Sequence, residues 1–142
     1  MLSMYPACFY KEDSGYSVIF PDLNYLATQG ETFEDAMAMA VDCLAGYLYA
    51  AQRDGEAVPE PSSLNKVDPV TVSRALDPDL PVGEAVVNMV SVDVAEYAKK
   101  HFEKAVKKTL TIPAWLNDAA MAQGVNFSQV LQRALKEQLH MA

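Results

Sequence analysis

The stretch from Val106 to Leu139 sets the narrowest limits on what this chain can fold into. Lys107 to Ile112 alternates polar and apolar side chains, so Lys107, Thr109 and Thr111 share one side of an extended segment and Leu110 and Ile112 the other. Pro113 suits the first turn of a helix, where its missing N–H costs nothing. Trp115, Leu116, Ala119, Ala120 and Ala122 carry that helix to Gly124, a residue type favoured just past a helix end. A second helix has the strongest start signal in the chain. Asn126 can cap it, Gln129 sits where a capping box places Glu or Gln, and Val125 can pack against Val130. Its apolar stripe is Phe127, Val130, Leu131, Ala134, Leu135 and Leu139. Such a unit cannot stand alone: a lone strand has two unpaired edges, and two short helices bury too little apolar surface. A second copy supplying an antiparallel strand removes both deficits. A homodimer through Leu110, Ile112, Trp115, Leu116, Phe127, Val130 and Leu131 is therefore expected.

Over its full length this stretch resembles the ribbon–helix–helix family, in which a paired β-ribbon enters the DNA major groove, a groove wide enough to admit one. The resemblance implies operator DNA as a partner. Lys107, Thr109 and Thr111 become the candidates for base-edge contacts, Lys108 for phosphate or for support of the fold. Backbone N–H groups near Asn126, Phe127 and Ser128, at the start of the second helix, form a natural phosphate clamp. The competing reading is a strand and helical hairpin that only build a dimer core. Both readings require two chains.

Charge divides the chain in the same place. Residues 1–100 hold 6 Lys/Arg and 16 Asp/Glu, whereas residues 101–142 hold 5 and 3. An acidic front (1–100) joined to a mildly basic tail (101–142) points to DNA for the tail and a basic partner for the front, against the plainer reading of an acidic, solvated surface. Cys8 and Cys43 have no metal-ligand spacing and read as small apolar residues in a reducing compartment. No apolar run approaches membrane-spanning length and no secretory leader pattern opens the chain, so a cytoplasmic protein with no membrane partner is expected.

In the front, Pro6 predicts a strand at a sheet edge, or the start of one, because proline cannot donate to a ladder. Ala7–Tyr10 and Tyr16–Phe20 form a hairpin across a five-residue connection, Lys11–Gly15, and Tyr25–Thr28 a third short strand. Thr32 opens a helix of about 22 residues, roughly 33 Å long, ending at Gly55. Its inner face is Phe33, Met37, Ala40, Val41, Leu44, Tyr47, Leu48 and Ala51, and Gly46 predicts close packing onto the sheet. Residues 56–84 hold five of the eight prolines and predict an irregular segment with no long helix. Val86–Val92, apolar on both faces apart from Asn88 and Ser91, predicts a strand inside the sheet. Asp93 caps a short helix through Tyr97 and Lys100, and the charged run Lys99 to Lys104 suits a linker.

The front resembles the HicB antitoxin family on the string Tyr16-Ser17-Val18-Ile19-Phe20-Pro21-Asp22-Leu23, then Ala27-Thr28-Gln29-Gly30-Glu31-Thr32 and Asp35-Ala36. The likeness continues at Asp54-Gly55-Glu56-Ala57-Val58-Pro59 and Pro61-Ser62. It departs at Asn24-Tyr25, where the family commonly has Pro-Gly. The resemblance implies an α+β chain: a partial RNase H-like, antiparallel-rich sheet with one long helix and no nuclease activity, followed by the ribbon–helix–helix. It implies a HicA-like toxin ribonuclease as partner, with Tyr16, Phe20, Asp22 and Tyr25 as candidate contacts, although Tyr16 and Phe20 share the Val18 face, which equally reads as core under the long helix, and core is the better reading for Phe20. The front domains can also associate, taking a homodimer to a tetramer.

An enzyme reading rests on Asp13, Asp22, Asp35 and Asp42. A two-metal nuclease needs carboxylates converging on ions about 3.5–4 Å apart, and nothing in their spacing compels that. His101 and His140 have no nucleophile pattern beside them. No catalytic residue, metal or cofactor is expected. The expected function is an antitoxin that neutralises its toxin and represses their shared operon. The alternative is a stand-alone ribbon–helix–helix repressor whose front senses a small ligand.

Overall fold

A computed structural model describes residues 1–103 and 105–141. The chain forms two compact units that divide between residues 104 and 105. The front unit is a four-stranded antiparallel sheet with helices on it. Its strands are β1 (Ser3–Glu12), β2 (Gly15–Phe20), β3 (Leu26–Gly30) and β4 (Ala85–Val92), in the order β3-β2-β1-β4. The first hairpin is tighter than its sequence predicts: Glu12 pairs with Gly15, so only Asp13 and Ser14 make the turn.

The long helix α1 (Phe33–Asp54) lies across one face. The Thr32 hydroxyl accepts the Asp35 N–H at 3.0 Å to start it, and Gly55, at φ +69°, ends it. Tyr5, Ala7 and Phe9 of β1, Val18 and Phe20 of β2 and Val90 and Val92 of β4 pack beneath Ala36, Ala40, Leu44, Ala45 and Leu48. The expected inner face of α1 is buried or half-buried throughout, with Ala36 and Ala45 added to it. Gly46 is a correction. A Cβ there would meet the Phe102 ring at 3.9 Å, an ordinary contact, so this glycine faces Phe102 and not the sheet.

Alternate residues of the same strands point the other way, where Cys8 and Tyr10 pack with Val72 and Val87. This second layer comes from α2 (Pro69–Leu76), an eight-residue helix inside the proline-rich segment. Asp68 caps it through the Val70 N–H at 3.1 Å, and Pro69 takes a first-turn position. The rest of that segment is tied down where it leaves α1. The Tyr5 hydroxyl donates to the Pro59 carbonyl at 2.6 Å, and Ser62 donates its N–H and hydroxyl to Asp22, each at 2.7 Å.

Two strand expectations are overturned. β4 is an edge strand, not an inner one. Its double-sided apolarity reflects cover on both faces, from α1 and from the α2 layer, rather than a neighbour on each side. Conversely, β1 is a central strand despite Pro6. The last β1–β2 pair is Cys8 with Ile19, whereas Pro6 pairs with Met89 of β4, so at Pro6 the strand is laddered on one side alone.

Asp93 then caps α3 (Val94–His101) by accepting the Glu96 N–H at 3.2 Å. Lys99, Lys100 and His101 form the last turn of this helix and not a linker, and Lys104 lies outside the described residues. Favourable charge at the helix C-terminus explains the basic run. α3 meets α1 through Tyr97, whose hydroxyl donates to Asp42 at 2.8 Å.

The tail unit has two helices, α4 (Ala114–Ala122) and α5 (Phe127–Gln138), with Gly124 between them at φ +67°. Pro113 stands at the cap of α4, one place before the first turn. The Asn126 side chain accepts the Gln129 N–H at 3.1 Å, as its position predicts. Residues 105–113 form no ladder within the chain.

Candidate functional site

None of the described residues of the tail unit is buried. Leu110 (55 % exposed), Ile112 (42 %), Leu116 (41 %), Phe127 (43 %) and Val130 (41 %) instead border an open groove of about 590 Å³, which Leu131 and Ala134 also line. Side chains of this size contribute about 1.5–3 kcal/mol each when fully buried, so an open groove of them forfeits most of what could hold the unit together. Lys108 lines the groove with Leu110 and Ile112, which leaves Lys107, Thr109 and Thr111 off that side. This parity is the one that the sequence alternation predicts. Trp115, 71 % exposed, does not line the groove, so the structure separates it from the other dimerisation candidates. Asn126, Phe127 and Ser128 sit at the start of α5, where the first helical N–H groups have no partner within the helix.

The front-unit candidates do not form one patch. Phe20 is fully buried under α1 and is corrected to a core residue, unavailable to any partner. Tyr16 is half-buried at the edge of the same core, edge-on to Phe33 with ring centroids 5.4 Å apart. Asp22 is held by Ser62, and its carboxylate thereby joins the string around Asp22 to the string ending at Ser62. Tyr25 is exposed (41 %) beside Asn24, and both adopt left-handed backbone, φ 58° and 55°. These two consecutive positions are where the chain departs from Pro-Gly. A proline, locked near φ −65°, cannot occupy position 24 in this geometry.

Carboxylates do not converge. Among the described residues no group of three or more His, Cys, Asp or Glu side chains could hold a metal ion. Asp42 accepts from Tyr97, and burial, then that carboxylate, pushes the Tyr97 hydroxyl's pKa up. His101 stacks on Tyr97 with centroids 4.1 Å apart. Cys8 is buried, which raises its thiol pKa; Cys43 is half-buried, its thiol 3.9 Å from the Ala27 carbonyl.

Fold and sites together define a two-part α+β chain: an acidic sheet body, and a small helical tail whose apolar groove lacks a covering layer. The family model described as HicB-like antitoxin of bacterial toxin–antitoxin system matches residues 5–135, and the chain belongs to that family. A chain of a toxin–antitoxin complex from Streptococcus pneumoniae is 35% identical, with a TM-score of 0.65, covering 97% of this chain and 99% of that one. Antitoxin HicB 2 of Photorhabdus laumondii is 37% identical over 59 residues, 42% of each chain. Antitoxin HicB 1 of the same organism is 38% identical over 55 residues, 39% of this chain and 36% of that protein. The matched part is about two fifths of the length of these curated relatives. No helix among the described residues is long and apolar enough to cross a membrane.

Proposed function

We propose that the chain is a cytoplasmic antitoxin of the HicBA type. Its front unit, a partial RNase H-like body without catalytic activity, binds and neutralises a HicA-like toxin ribonuclease. Its tail, a ribbon–helix–helix, pairs with a second copy and represses the operon of the two proteins. The observation that carries the tail's role is a unit none of whose described residues is buried, with an open apolar groove lined by Lys108, Leu110 and Ile112 but not by Lys107, Thr109 and Thr111. A second chain closes the groove, supplies the missing strand and aligns two sets of those residues for the major groove. Support for the toxin partner is family membership and the likeness, over nearly the whole chain, to a member of a toxin–antitoxin complex.

Two measurements test the proposal. On this reading a small basic protein should be encoded beside this chain; in growth assays its expression alone should arrest cells, co-expression with this chain should restore growth, and the two should co-purify. A harmless neighbour refutes the antitoxin reading. In gel-shift titrations on the operon's own promoter, Thr109→Ala should weaken specific binding by about 1–3 kcal/mol, and Lys107→Ala should also reduce the salt dependence. Unchanged affinity in both variants removes the ribbon from DNA recognition.

A further inference from the structure

The sheet face opposite α1 is covered across only half its width. Over β4 and β1 the α2 layer closes on Cys8, Tyr10 and Val87, and half-buried Ile19 of β2 packs at its margin. The rows continue beyond that cover, because Cys8 pairs with Ile19 and Ile19 with Ala27, while Tyr10 pairs with Ser17 and Ser17 with Gln29. Paired residues share a face, so Ile19, Ala27, Ser17 and Gln29 extend the covered layer onto open sheet. They floor a cleft of about 730 Å³ whose wall is Leu76 and Leu80, which are 51 % and 54 % exposed.

The surroundings of this cleft are predominantly acidic. The hairpin and the loop after α2 carry Glu12, Asp13, Asp77, Asp79 and Glu84, all exposed, against Lys11 in the hairpin and Arg74 in the last turn of α2. Lys11 is already 4.0 Å from Glu84, and the Ser17 hydroxyl holds the Glu12 carboxylate at 2.5 Å. Apolar floor and wall inside an acidic border fit a partner with an apolar knob inside a basic border. They do not fit a second copy, which would bring like charges together.

We propose that this half-open face, and not the α1 side that carries Tyr16, receives the basic toxin. The inference rests on the antitoxin reading and adds the surface to it. The basic border of the toxin meets Glu12, Asp13, Asp77 and Asp79, while its apolar centre fills the space over Ile19 and Ala27 against Leu80.

The test uses the full chain and, as probe, the neighbouring toxin purified in a catalytically inactivated form, with affinities from titration calorimetry. Ala27→Arg and Leu80→Arg change exposed positions, and unchanged thermal unfolding of each variant shows that the body is intact. Both should weaken toxin binding by about 30-fold or more, as loss of a well-packed anchor does. Met39→Arg, on the exposed side of α1, should leave it within about threefold, the range of a peripheral contact. Added salt should weaken wild-type binding. Wild-type affinity in both cleft variants, with loss in Met39→Arg or Tyr25→Ala, overturns this surface and leaves the antitoxin reading standing. A change in sedimentation mass without a change in toxin affinity also overturns it, because the face then joins two copies. Failure of the wild-type chain to bind the toxin at all defeats both proposals.

Discussion

Asn24 and Tyr25 show how a single backbone choice decides what a position tolerates. Left-handed backbone costs a non-glycine residue roughly 1–2 kcal/mol, less for asparagine, whose short amide bonds locally. Asn24 is thus suited to φ 55°, whereas Tyr25 at φ 58° is strained. Tyr25→Gly should raise stability to urea by up to about 1 kcal/mol, and Asn24→Pro should lower it by about 3 kcal/mol. The latch between Asp22 and Ser62 is a residue-scale device of another kind. Asp22→Ala removes both bonds from Ser62 and should cost about 1.5–3 kcal/mol, the range for hydrogen bonds to a charged group. Two other carboxylates make stability depend on pH. Asp93 is held below its ordinary 3.8 by the Met1 ammonium and then the Glu96 N–H; Asp68, likewise, by the Thr71 hydroxyl and then the Val70 N–H. Lowered folded-state values mean that both contributions are complete above 3.8 and vanish as pH falls through the lowered values. The unfolding midpoint contributed by these caps should therefore be flat near neutrality and fall once the solution is more acidic than 3.8, which a pH series of thermal melts reads directly. Aspartate-to-asparagine variants at both sites should flatten that fall.

At the scale of elements, the junction between β3 and α1 tolerates no added side-chain atom at Gly30. A Cβ on Gly30 would stand 2.3 Å from the Ala36 nitrogen, a backbone atom that moves only if the helix does. Gly30→Ala should cost about 1–3 kcal/mol through overpacking, with a lower melting temperature as the readout. The reach of sequence reasoning follows the same physics. Helices with strong local caps were legible: Thr32, Asp93 and Asn126 each start a helix where their side chains predict. The α2 helix was not read, although Asp68-Pro69 carries both of its start signals, because the prolines around it pointed to loop. β4 and Pro6 misled for a different reason. Side-chain alternation reports what covers a strand's faces, whereas edge or centre depends on partners distant in sequence. The same limit hid the cleft. Ile19 and Ala27 look like ordinary strand residues until pairing shows that the layer built on α2 ends at Ile19 and leaves Ala27 open.

The whole molecule joins a unit with its own core to one without. Residues 105–141 expose five large apolar side chains around one groove, so on the proposed pairing of two tails their folding and their association are one event. Calorimetry of the full chain should show one transition whose midpoint rises with protein concentration, from the tail, and one that does not. A concentration-independent tail transition refutes the shared fold. The apolar half of the tail was legible from spacing alone, but which side chains close the groove was not, and Trp115 stands outside it. One more consequence comes from the anchoring of residues 56–63. Bare backbone is where a protease ordinarily cuts first, yet Tyr5 holds Pro59, and Asp22 holds Ser62, against that fate. Proteinase K, which needs no basic residue, should cut near Lys107 and Lys108 sooner than within residues 56–63, and soonest in dilute solution. Under the proposed function, a single cleavage there would sever toxin capture from operator binding while leaving the first intact.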